Sequence, residues 1–160
     1  MKTINNTLKA LIPALALSFL FVACSKDNSI DENEPGVHYA TMGDASGAQM
    51  EPPVGTPGTA SMVGTYNTGT NKWEYSVDWA NMTSNVTAIE IHGPGTEGAN
   101  STRIFTDVVT NGGPNGARSS TVTLTEEQES LLIEDRYFFR VLTTNYPDGE
   151  VRGMIVSITR

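Results

Sequence analysis

Between Lys72 and Trp79 the chain alternates without a break. Trp73, Tyr75, Val77 and Trp79 are apolar, and Lys72, Glu74, Ser76 and Asp78 are polar. A period of two puts all four large apolar side chains on one face of an extended strand. Trp73 and Trp79 share that apolar face, so they are expected in a core and not on a sugar-stacking surface. Ahead of this strand, Thr59 to Asn67 reads as another, and Asn67-Thr68-Gly69-Thr70-Asn71 is a hairpin turn of the kind Asn and Gly permit.

The same texture continues toward the C-terminus. Val86 to His92, Arg103 to Thr110 and Ser119 to Leu124 read as strands, separated by Gly93-Pro94-Gly95 and by Asn111-Gly112-Gly113-Pro114-Asn115-Gly116. One helix is predicted. Thr125-Glu126-Glu127-Gln128 has capping-box spacing, and Leu131, Leu132 and Ile133 give the helix an apolar side for about two turns. Tyr137 to Thr144, the turn Asn145-Tyr146-Pro147-Asp148-Gly149 and Glu150 to Arg160 form a closing hairpin. Short strands at regular spacing with one helical insertion predict an all-β antiparallel sandwich or barrel.

The N-terminus carries a different message. Lys2 and Lys9 precede an uncharged run from Ala10 to Ala23, which ends at Cys24, the single cysteine of the chain. A basic start, a short apolar centre and a small residue before the cut describe a secretory signal. The run falls short of the roughly 20 apolar residues that span a bilayer. Leu20-Phe21-Val22-Ala23-Cys24 resembles the lipobox of bacterial lipoproteins, with Phe21 in the place three before the cysteine where leucine usually stands. That resemblance implies a cleaved signal over residues 1–23, lipidation at Cys24, and attachment to a membrane by acyl chains instead of a span. It also removes the liability of a lone thiol in an oxidising compartment.

Ser25 to Gly36 is polar and acidic, with Ile30 its one aliphatic residue, and reads as an unfolded tether over residues 24–36. An acidic segment behind a lipidated cysteine resembles the export signals that carry Bacteroidetes lipoproteins to the outer face of the outer membrane. The expected location is therefore the bacterial envelope, at the outer membrane and its surface. Of the 160 residues, 137 remain after residue 23, enough for one domain with its own core. The signal removes two of the 10 basic residues and none of the 18 acidic ones, so the mature balance is −10. Such a charge opposes nucleic acid and anionic membrane surfaces as partners.

Several segments carry a family resemblance. Gln49-Met50-Glu51-Pro52-Pro53-Val54, the Tyr66-Asn67 hairpin, Ile89-Glu90-Ile91-His92-Gly93-Pro94 and Tyr146-Pro147-Asp148-Gly149-Glu150-Val151-Arg152-Gly153-Met154-Ile155 fall in the order seen in the CHRD domain, named for chordin. The resemblance covers residues 37–160. It implies an immunoglobulin-like or superoxide-dismutase-like β-sandwich. Relatives with His-Ile-His-Gly at the third segment and a further histidine before the final turn suggest a shared metal, copper or zinc. Here Glu90 and His92 fill the first pair, Leu142 stands where the further histidine is expected, and the other histidine, His38, lies at the far end of the domain. A structural role for His92, hydrogen-bonded near Gly93, is the expectation, with Glu90 and His92 the only metal candidates.

No residue set predicts catalysis. Glu126 and Glu127 sit in the first turn of the helix, where acids suit the dipole, and Glu150 and Arg152 have the spacing of an ion pair on one strand face. Asn81, Asn85 and Asn100 match a glycosylation pattern that is idle in a bacterium. The sequence thus predicts a non-enzymatic module without a cofactor, anchored to a membrane at Cys24 and serving an envelope or extracellular ligand that the residues do not name. The alternative is a metal-binding or redox protein of superoxide-dismutase-like fold.

Overall fold

The computed structural model describes residues 36–94 and 101–159; the expected signal, Cys24 and the tether as far as Pro35 lie outside the described residues. In chain order the elements are β1 (His38–Ser46), β2 (Thr59–Asn67), β3 (Lys72–Ala80), β4 (Val86–Gly93), β5 (Thr102–Val108), β6 (Gly116–Thr123), α1 (Glu126–Ile133), β7 (Phe138–Thr143), β8 (Val151–Met154) and β9 (Val156–Thr159). A 3-10 turn at Gly47–Gln49 follows β1. The strands pair antiparallel in the order β5-β4-β7-β8-β1-β2-β3-β6, with β9 also paired to β1.

This sheet folds over on itself. Its two end strands come close enough for Arg118 on β6 to grip Asp107 on β5 through both carboxylate oxygens, at 3.0 Å from Nε and 2.8 Å from Nη2. One wall is β5-β4-β7-β8 and the other is β1-β2-β3-β6. The result is an all-β sandwich closing toward a barrel, as the strand pattern predicts.

The core lies between the walls. Trp73, Tyr75, Val77 and Trp79 face inward from β3 and are all buried, Trp73 completely. They meet Ile89 and Ile91 of β4, Phe139 and Val141 of β7, and Val151 of β8. Trp73 packs 4.8 Å from Tyr75 and 6.4 Å from Tyr137 between ring centres, and its indole N–H donates to Thr41. Trp79 likewise donates, to the Gly113 carbonyl, so neither indole is left with an unmet polar group.

The local signals act as expected at the hairpin and the helix. The Asn67 side chain accepts from the amides of Gly69 and Thr70, which closes the β2–β3 turn, and Asn71 takes the left-handed conformation at φ 56. Thr125 and Gln128 exchange both hydrogen bonds of the capping box, and Leu132 is the fully buried residue of α1.

Two features differ from the sequence reading. The stretch His38–Ser46 has no valine or isoleucine and signals no strand, yet β1 pairs along its whole length with β2 and joins the two walls. The expected strand from Glu150 to Arg160 breaks at Ile155, whose amide bonds to Tyr137. Beyond it, β9 leaves β7 and pairs with β1. Where the walls meet, backbone approaches backbone: a Cβ on Gly43 would lie 2.2 Å from the Met154 carbonyl oxygen, and one on Gly153 2.5 Å from that of Asp44. Only glycine fits there.

Candidate binding face

On β4 the residues alternate between core and outer face. Ile89 and Ile91 enter the core, while Ala88, Glu90 and His92 turn outward. Across the β4–β7 ladder Glu90 pairs with Arg140, His92 with Phe138 and Ala88 with Leu142, and on the next ladder Arg140 pairs with Arg152. One outer face therefore gathers a carboxylate, an imidazole and two guanidinium groups around the Phe138 ring. Arg103, from the opposite side on β5, adds a third guanidinium.

An outer face would ordinarily be wet, but this one is not. Glu90, His92, Phe138, Leu142 and Arg152 are all buried, Phe138 completely. Charges taken out of water need partners, and most here have them. Glu90 holds His92 Nε2 at 3.0 Å with one oxygen and Arg103 Nη1 at 2.9 Å with the other. His92 stacks on Phe138 at 5.2 Å with the rings 10° from parallel. The guanidinium carbons of Arg152 and Arg140 lie 4.1 and 5.3 Å from the same ring centre, within cation–π range. Arg152 also donates to the Gln49 carbonyl at 3.1 Å.

Glu90 and His92 are thus brought together as a pair. The partner of His92 is Glu90, two residues earlier on the same strand, and not the backbone about Gly93. When Nε2 carries the proton given to Glu90, Nδ1 keeps a bare lone pair, and that atom is buried with no partner among the described residues.

The group does not fit a copper or zinc ion. Among the described residues no cluster of three His, Cys, Asp or Glu forms. Leu142 lies one pair along from Glu90 and offers no lone pair, His38 stands on β1 beside Asn67, and the second oxygen of Glu90 is engaged by the Arg103 cation. A positive charge held on a carboxylate that would have to be a ligand repels a metal ion.

Glu150 and Arg152 do not form the expected ion pair. The Glu150 carboxylate is fully buried and takes the hydroxyls of Thr56, Thr83 and Thr143 and the amide of Thr83. Burial by itself pushes this carboxyl up. The hydrogen bonds from Thr56, Thr83 and Thr143 outweigh burial and hold it below its ordinary value of 4.5. Glu150 thereby ties the loops around residues 56 and 83 to the β7–β8 turn.

Periodicity and motif spacing do not single out Arg140, Phe138 or Arg103. A usable signal stands in Phe138-Phe139-Arg140-Val141-Leu142, where one arginine interrupts a run that is apolar on both faces. A concavity of about 610 Å³ lies on the other wall over the paired row Asp44, Ser61 and Asp78. Those two aspartates are exposed.

Fold and face together define an all-β sandwich module with a buried ionic cluster on one outer surface. The CHRD domain model matches residues 43–155, most of the chain, and the protein belongs to the CHRD domain family. No curated protein and no solved structure matches it.

Proposed function

We propose that this chain is a lipid-anchored protein of the bacterial envelope whose CHRD domain is a non-catalytic binding module. In this reading Cys24 carries the acyl chains, the acidic tether spaces the sandwich from the outer membrane, and the ligand is an envelope or extracellular molecule and not a nucleic acid. The observation that supports binding over turnover is the use made of Glu90 and His92. Each engages the other, and Glu90 engages Arg103, so among the described residues neither is directed at a hydroxyl that it could activate as a nucleophile.

Anchoring is tested by acyl labelling. Because the thioether needs the sulfur of Cys24, Cys24→Ser should abolish labelling and leave an uncleaved or soluble chain. Labelling that persists in this variant removes the lipoprotein reading. The metal-binding alternative is tested by elemental analysis of the purified full chain. One tightly held copper or zinc per chain, displaced by His92→Ala, would establish that alternative in place of a metal-free binding module.

A further inference from the structure

We propose that the outer face of β4, β7 and β8 binds an oxyanion, the carboxylate, sulfate or phosphate group of its ligand, on the guanidinium of Arg140. This rests on the binding-module reading and gives that module a ligand class.

Arg140 is half-buried and stands between Glu90 on one ladder and Arg152 on the other. Glu90 is the acid directly across from it, yet both Glu90 oxygens are taken by His92 and Arg103. On its other side the facing residue is a second guanidinium. The Nε of Arg140 is buried and has no hydrogen-bond partner among the described residues. A buried donor without an acceptor is uncommon and calls for one.

The fork is also held in place. The Arg140 guanidinium lies over Phe138, and its stem passes the β7–β8 turn, where a Cβ on Gly149 would come within 3.3 Å of Arg140 Cδ. Gly149 has φ 118, a conformation that glycine adopts without strain, so the turn can press close to the stem. A guanidinium fixed by packing presents parallel N–H donors, which match the paired oxygens of a carboxylate, sulfate or phosphate. Arg103 matches Glu90, so Arg140 and Arg152 leave this face with more cations than acids, on a chain whose net charge is −8. That concentration of cations runs against the composition and favours an anionic ligand.

The test uses the full chain in detergent micelles, titrated separately with inorganic phosphate, sulfate and acetate against chloride at matched ionic strength. Binding is read by calorimetry and by the arginine Nε–H resonances. At least one oxyanion should bind saturably and shift an Nε–H signal that is missing in Arg140→Gln. Loss of a charge-assisted pair should weaken that binding by roughly tenfold or more. Arg140→Lys keeps the charge and loses the fork, and should also bind more weakly than the unaltered chain. Lys72→Gln removes the same charge from an exposed site on the other wall and should leave affinity unchanged. Tryptophan fluorescence confirms that each variant is folded. No saturable binding by any of the three ions, equal binding by Arg140→Gln, or equal weakening by Lys72→Gln overturns the proposal. Elemental analysis of the same chain is unaffected by any of these outcomes, so failure of the oxyanion site and failure of the metal-free binding-module reading are told apart.

Discussion

Glu150 has a direct consequence for acid stability. Its carboxyl is held below the ordinary 4.5 in the folded chain, because hydrogen bonds to three threonines outweigh the cost of burial. A folded value below the unfolded one contributes stability that is fully present above the unfolded pKa and is lost as pH falls through the folded one. The denaturant midpoint should therefore hold above about pH 4.5 and drop as the medium becomes more acid. In Glu150→Gln that acid limb should flatten, at the expense of lower stability at neutral pH. An acid limb as steep as the original would show that other carboxylates govern it. The role is hidden from the sequence for a simple reason. Residues 56, 83 and 143 are scattered along the chain, and only folding brings their hydroxyls to one carboxylate. Residue spacing suggests Arg152 as the partner, because neighbours on one strand face are all that spacing can see.

The elements show the same division. Where signals are local, they are legible: the alternation of β3, the Asn67 turn and the Thr125 cap each act between residues a few positions apart. β1 is not legible, because its place is set by its neighbours. Small residues such as Gly43 let it pass close to β8, and pairing on both sides supplies what its own side chains lack. The seam between β5 and β6 is likewise a tertiary device. Open strand edges invite pairing with another chain, and charged side chains that point inward at an edge discourage it. Asp107 and Arg118 face each other across that gap. Removing one partner leaves the other charge uncompensated, so Asp107→Ala should lower stability and promote self-association with rising protein concentration. Light scattering would measure this. If Asp107→Ala associates no more than the original and is as stable, the pair is a surface contact with no part in guarding the seam.

At the scale of the whole molecule, both walls share one core, with Trp73 at its centre. Truncating Trp73 to Ala should cost about 3 to 5 kcal/mol, and the original indoles should emit in the blue and resist quenching by iodide. Red emission, readily quenched, would place them on a surface instead. The sequence alone determined the class of fold, the face of β3 that turns inward, the helix with its cap, and the resemblance to the CHRD domain. Each depends on periodicity or on short motifs, which are properties of neighbouring residues. The tertiary structure alone decided which strands close the sandwich, that Glu150 gathers three threonine hydroxyls, and that Arg140 lies between Glu90 and Arg152 with no acid of its own among the described residues. Those facts depend on register across ladders, where residues far apart in the chain become neighbours, and no local pattern encodes that distance.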